Sequence, residues 1–162
     1  NGVIRASRVG RYVVDEKHRR AKVAPVTSIP VLINKGDLVL GSVRSVKPNM
    51  VMVDVTHVEG KEREISSDTD ATIRVSEIST SYVKESSDKF SVGDVVRAKV
   101  LQTRPSLQLE TKDRDLGVIK AFCGKCRKPL VKKESMLECK NCGNIEKRKT
   151  SADYGEYCLE KF

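Results

Sequence analysis

Apolar and polar residues alternate in short runs from residue 33 to residue 112, with the two-residue period of a strand that has one buried face. Lys35-Gly-Asp-Leu-Val-Leu-Gly-Ser-Val43 and Val92-Gly-Asp-Val-Val-Arg-Ala-Lys-Val100 echo each other, each a Gly-Asp turn followed by an alternating run rich in valine. Met50-Val-Met-Val-Asp-Val55 and Ala71-Thr-Ile-Arg-Val75 lie between them, and Leu107-Gln-Leu-Glu-Thr111 closes the unit. The pattern predicts five strands in about eighty residues, with one helical turn at Ser79–Ser86. Five antiparallel strands of this length suit a small closed barrel of the OB class, with a five-stranded sandwich as the competing arrangement.

On either side the pattern changes. Arg11-Tyr-Val-Val-Asp15 and Ala21-Lys-Val-Ala-Pro-Val26 flank the polar turn Glu16-Lys-His-Arg-Arg20 and predict a hairpin. Residues 1–30 are too few to bury a core of their own, so they either complete themselves with an upstream segment, as a partial N-terminal β-domain, or pack on something else. The start at Asn1 rather than at a methionine fits an upstream portion that is missing here. Residues 31–113 form the barrel unit, 114–122 a connector with at most one helical turn, 123–150 a cysteine module and 151–162 a polar tail. The expected fold is therefore mainly β.

The chain carries 31 basic and 22 acidic side chains, a formal charge of +9, which points to a polyanionic partner, most often nucleic acid, although such a surplus also serves solubility. Its distribution tempers that reading. Residues 1–30 hold seven basic and two acidic side chains, 31–112 hold twelve of each, and 113–162 hold twelve and eight. The barrel unit is neutral, and the surplus sits at the two ends, where protein docking explains it as well as RNA does. No apolar segment approaches the ~18 residues of a membrane span, and nothing reads as a signal peptide, so a soluble, cytoplasmic protein without a membrane partner is expected.

Four of the five cysteines, Cys123, Cys126, Cys139 and Cys142, form two Cys-x-x-Cys pairs separated by twelve residues. Two such knuckles can close a tetrahedron of sulfur around Zn²⁺, a zinc ribbon. A redox dithiol pair and a rubredoxin-like iron site are the alternatives. With every position filled by sulfur the site is structural, one zinc per chain, with Lys125, Arg127 and Lys140 offsetting its charge. Gly143 follows the last ligand, where a knuckle needs a permissive backbone, whereas Arg127 holds the matching place in the first. Cys158 reads as a spare thiol.

RNA readers of the OB class combine basic grooves with exposed aromatic side chains on which bases stack. The barrel unit offers only Tyr82 and Phe90, and Phe90 reads as core. Candidate contacts are Arg44 and Lys47 near the end of the first barrel strand, Arg74, then Arg97 and Lys99 on one face of a later strand, and Arg104 in the following turn. Binding is expected to be weak, sequence-tolerant and salt-sensitive, and to work by avidity. His18 and His57 lie in polar stretches without a paired nucleophile, no phosphate-cradling loop is present, and no enzymatic centre is read.

Gly36-Asp-Leu-Val-Leu-Gly-Ser-Val43, Arg74-Val-Ser-Glu-Ile-Ser79, Phe90-Ser-Val-Gly-Asp-Val-Val-Arg-Ala-Lys-Val-Leu101 and Leu109-Glu-Thr-Lys112 resemble the S-one type of OB-fold RNA-binding repeat. Continued through Gly117-Val-Ile-Lys-Ala121, the cysteine pairs and Glu146-Lys-Arg-Lys-Thr-Ser-Ala-Asp-Tyr-Gly155, the chain resembles the archaeal RNA exosome cap subunits that carry a zinc ribbon. The resemblance implies a non-catalytic subunit on a ring of ribonuclease-PH-like subunits, guiding RNA 3′ ends inward for 3′-to-5′ degradation. It implies two further partners, a KH-containing cap subunit and a primase-like protein, and a ring-docking role for residues 1–30. Where the S-one family stacks a phenylalanine of its second strand on RNA, this chain has Pro48-Asn-Met-Val-Met, and Arg74 stands where histidine is frequent. Two other assignments fit an OB fold with a ribbon: a factor of transcription or translation, and an acyl-thioester enzyme accessory protein, whose ribbon usually comes first.

Overall fold

The computed structural model describes residues 9–26, 31–62 and 64–156. β1 (Gly10–Asp15) and β2 (Arg20–Pro25) form the expected hairpin, with Arg11 opposite Ala24 and Asp15 opposite Arg20. Its side chains are exposed or half-buried, including Tyr12 and Val14, as expected of a piece with no core of its own.

The five barrel strands are β3 (Leu38–Lys47), β4 (Met50–Val58), β5 (Asp70–Arg74), β6 (Val95–Gln102) and β7 (Leu107–Glu110). They run in the order β3-β4-β5-β7-β6, and β6 pairs back onto β3, which closes the barrel and excludes the sandwich. β5 and β7 pair in parallel, while the other contacts around the barrel are antiparallel. Alternation decides what points inward. Val39 and Val43 of β3, Val51, Val53 and Val55 of β4, and Val96, Ala98 and Val100 of β6 all lie in the core. Register shifts at Leu40/Gly41 and Val43/Ser45 bend β3 so that it pairs with β4 on one edge and β6 on the other. Phe90, 1 % exposed, plugs the barrel together with Ile78 and Val83.

Two local expectations are corrected. Ser79–Ser86 does not form one helical turn; single 3-10 turns lie at Val75–Glu77, before it, and at Ser86–Asp88, starting on its last residue. The connector contains a strand, β8 (Gly117–Lys120), and no helix. β8 pairs with the first half of β6, on the edge whose second half β7 occupies. The cysteine module forms a three-stranded sheet of β9 (Val131–Lys133), β10 (Met136–Glu138) and β11 (Ile145–Glu146), in the order β11-β10-β9.

The chain then returns to the barrel. The Val118 N–H donates to the Lys149 carbonyl at 2.7 Å and the Ser151 N–H to the Val118 carbonyl at 3.0 Å, so residues 149–151 line the open edge of β8. Gly117 makes this approach possible: its φ is +124°, and a Cβ there would stand 2.3 Å from the Lys149 carbonyl oxygen. Barrel and ribbon share one continuous hydrophobic core that includes Val118, Ala121, Leu130, Leu137 and Tyr154.

Candidate metal centre and nucleic-acid interface

The two knuckles repeat one another bond for bond. In the first, the Arg127 N–H donates to the Cys123 carbonyl at 2.9 Å and the Cys123 N–H to the Lys128 carbonyl at 2.8 Å. In the second, the Gly143 N–H donates to the Cys139 carbonyl at 2.8 Å and the Cys139 N–H to the Asn144 carbonyl at 2.9 Å. Each turn closes on a left-handed residue, Arg127 at φ 60° and Gly143 at φ 69°. The arginine therefore adopts the backbone conformation that the glycine takes in the second knuckle.

These turns bring the four sulfurs within 4.8 Å of one another, so the cluster could hold a metal ion. Cys123 Sγ lies 3.6 Å from Cys142 Sγ, and Cys126 Sγ lies 3.4 Å from Cys139 Sγ. A tetrahedron with Zn–S bonds of ~2.3 Å has edges of ~3.8 Å, so the spacing fits such an ion. The Cys126 N–H holds Cys123 below the ordinary thiol range, and the Lys128 N–H, with Cys139, brings Cys126 down to about 6. Cys142 receives the Asn144 N–H but is pushed up to about 12 by desolvation and by the sulfurs around it. Thiolates this close repel one another, and a cation at the centre would offset that repulsion.

Behind the knuckles lies a polar seam between ribbon and barrel. The Arg148 guanidinium contacts barrel Asp94 at 2.8 Å and ribbon Glu146. Burial pushes the Asp94 carboxyl up, against the pull of the Arg148 charge. Tyr154 Oη donates to the Leu130 carbonyl at 2.9 Å and accepts the Ala121 N–H at 3.2 Å.

The six cations singled out for RNA fall into two groups. Arg44 pairs with Asp70 at 2.8 Å and Lys99 lies 3.9 Å from Glu110. Arg97 departs from the expectation: its side chain is buried against the tail, paired with Asp153 at 2.9 Å and donating through Nε to the Asp115 carbonyl at 2.9 Å. It holds the return segment on the barrel, and RNA has no access to it. Lys47, Arg74 and Arg104 are exposed and make no ion pair within 4.0 Å among the described residues.

Lys47 and Arg74 stand in one cross-strand row, since Lys47 lies opposite Met50 and Met50 opposite Arg74. The segment between β5 and β6 is pinned at the same end: the Val75 N–H donates to the Asn49 carbonyl at 2.9 Å and the Ser86 N–H to the Pro48 carbonyl at 3.0 Å. That segment presents Tyr82, 91 % exposed, beside exposed Lys84. Arg104 lies with the β6–β7 turn, lining a groove of about 440 Å³ with Asn34, Ser67 and Asp68.

Sequence reasoning missed the seam residues Asp94, Arg148 and Asp153. Glu146-Lys-Arg-Lys stood out in the chain, but no local signal says that its arginine turns inward. Cys158 lies outside the described residues.

No protein-family model matches the chain. It is 34% identical, over 155 residues, to a curated protein of Archaeoglobus fulgidus named exosome complex component Csl4, an alignment covering 96% of this chain and 84% of that one. A 68-residue stretch is 37% identical to the translation initiation factor 2 alpha subunit of Methanocaldococcus jannaschii, covering 42% of this chain and 23% of the factor. Among solved structures, the intact alpha subunit of aIF2 from Pyrococcus abyssi aligns with a TM-score of 0.41 at 20% identity, over 49% of this chain and 29% of that one.

Proposed function

The chain belongs to the Csl4 family of exosome components, and from that premise we propose that it is a non-catalytic RNA-binding cap subunit that guides RNA 3′ ends into a ribonuclease-PH-like ring. The observation that carries the proposal is the span of the likeness: 96% of the chain aligns, so hairpin, barrel and ribbon are all included. On this reading residues 1–30 dock on the ring, the barrel faces the incoming RNA, and the ribbon stands at the periphery in the cytoplasm. A KH-containing cap subunit and a primase-like protein are the further partners. The metal is zinc, held by Cys123, Cys126, Cys139 and Cys142. Four sulfur ligands leave no open position for water or substrate, which makes the centre structural.

RNA contact centres on the end of the barrel where Lys47 and Arg74 flank Met50. Tyr82 offers the face on which a base stacks, and Lys84 adds charge beside it. Arg104 serves a separate path past the β6–β7 turn. Arg44 and Lys99 take part only where RNA phosphate displaces their carboxylates. A site with so few cations binds weakly and loses affinity steeply with salt.

Affinity purification of the chain from its native host, followed by mass spectrometry, tests the assignment. Ribonuclease-PH-like subunits are expected in the eluate, and their absence counts against it. The translation-factor reading draws on the 68-residue likeness to the initiation factor subunit, which reaches less than half of this chain. It predicts ribosomal partners in the same experiment. For the RNA site, fluorescence anisotropy with a single-stranded oligonucleotide compares wild type with Tyr82→Ala, which is expected to bind ~1–3 kcal/mol more weakly. Incubating the purified chain with labelled RNA, phosphate and Mg²⁺ should leave 3′ ends intact, and processive shortening would show an activity that this proposal denies.

A further inference from the structure

A chain of polar contacts, buried at the barrel and exposed where it reaches the first knuckle, runs from the barrel to the metal cluster, and neither RNA binding nor zinc ligation makes use of it. It starts at Asp94, fully buried at the mouth of β6. Asp94 Oδ2 accepts the Ser91 N–H at 2.8 Å and Arg148 Nε at 2.8 Å. The Arg148 side chain is 5 % exposed, and its Nη2 donates to Glu146 Oε2. Glu146 Oε1 in turn accepts the Gly124 N–H at 2.8 Å and Asn144 Nδ2 at 2.7 Å. Gly124 follows Cys123 inside the first knuckle, and Asn144 Nδ2 stands 3.7 Å from Cys123 Sγ. Three charged groups and an amide thus connect a barrel carboxylate to a sulfur of the cluster.

Burial is what gives these contacts consequence. An exposed pair such as Lys133–Glu138 contributes little and breaks without effect, whereas a buried charge that loses its partner is stranded away from water. Groups that hydrogen-bond to metal ligands set ligand orientation and metal affinity. Here the groups around Cys123 are aimed by Glu146, Glu146 is held by Arg148, and Arg148 is held by the barrel.

We propose that Asp94, Arg148 and Glu146 form a relay that couples metal retention in the ribbon to the docking of the ribbon on the barrel. Metal-held knuckles fix Glu146 and so present Arg148 to Asp94. A docked Arg148 holds Glu146 against the first knuckle. The coupling is reciprocal, because each equilibrium biases the other by the same factor. It rests on the metal reading of the four cysteines and is independent of the RNA reading.

The test uses the whole zinc-loaded chain. Competition with a colorimetric chelator gives the zinc affinity of the wild type, Arg148→Met, Asp94→Asn and the exposed-pair control Lys133→Met. Arg148→Met keeps a long apolar stem and removes the charge; it is expected to weaken zinc binding about tenfold or more. Asp94→Asn weakens it as well, although Asp94 contacts no cysteine sulfur, and the double variant is no weaker than Arg148→Met alone. Lys133→Met binds zinc like the wild type. Wild-type affinity in both Arg148→Met and Asp94→Asn overturns the relay.

If a variant fails to fold, the unmutated chain decides. Hydrogen exchange is followed before and after the chelator removes zinc. The seam N–H groups of Val118, Lys149 and Ser151, all outside the knuckles, are expected to lose protection. Unchanged protection there overturns the coupling. A wild-type chain that takes up no zinc removes the metal reading and the coupling with it, a result that no failure of the variants alone can mimic.

Discussion

The barrel stacks Val39, Val43, Val51, Val53, Ile73 and Leu109 into a core in which each is at most 2 % exposed, and Phe90 closes it. The ribbon has little of this kind: beyond Cys123 and Cys139 it buries Leu130 and Leu137, while Val131, Met136 and Ile145 face outward at 41 %, 41 % and 59 % exposure. Each fully buried Val, Leu, Ile or Phe contributes roughly 1.5–3 kcal/mol, so the barrel draws its stability from many small terms. On the metal reading, the ribbon's stability rests on one event, capture of an ion by four sulfurs, together with its attachment to the barrel. The same chain thus contains a unit that tolerates the loss of any one contact by degrees and a unit that is either assembled or not.

The most severe test of this contrast is removal of the metal ligands. Changing Cys139 and Cys142 to serine is expected to abolish metal uptake and unfold the ribbon, seen as lost amide protection in β9–β11, while β3–β6 keep theirs. Loss of barrel protection at the same time would merge the two units into one. Next in size, Phe90→Ala should cost the barrel ~3–5 kcal/mol in denaturant unfolding, with metal content per folded chain unchanged. Gly117→Ala acts on the junction: a side chain at φ +124°, 2.3 Å from the Lys149 carbonyl, is expected to cost ~1–3 kcal/mol and to expose the return segment to proteolysis. The mildest effect is electrostatic. Lys112 Nζ, 2.7 Å from Glu77, holds that carboxyl below its ordinary value of 4.5. A carboxyl lowered in the folded state stabilises above its unfolded pKa, and this contribution is lost as pH falls through the folded value. Glu77→Gln should therefore flatten the acid limb of the stability curve below pH 4.5, leaving a smaller difference at neutral pH than Phe90→Ala or Gly117→Ala makes.

The two units were also unequally legible. Valine alternation and Gly-Asp turns marked all five barrel strands, because a strand with one wet face carries its period in the sequence. Cysteine spacing marked the metal cluster for a similar reason: a knuckle is local, and two residues between ligands fix its geometry. β8 escaped notice because Gly117, Val118 and Ile119 are all buried, so the segment shows no alternation. Arg97 was read as an exposed strand cation because its place on the outer face was clear, but the cover over that face comes from Asp153, 56 residues later. The Arg148–Asp94 pair spans 54 residues. Contacts that join units depend on tertiary approach, and no short-range pattern encodes it.

The bridge between Val118 and Thr150 gives the ribbon an unusual status within the chain. It leaves the barrel and rejoins it at one point, so it is topologically an insertion with both stems clamped. A cut anywhere between the knuckles would leave two fragments held together by β8, the return segment and the seam. The ribbon is therefore a place where the polypeptide can be opened, lengthened or exchanged without changing the order in which the barrel strands meet.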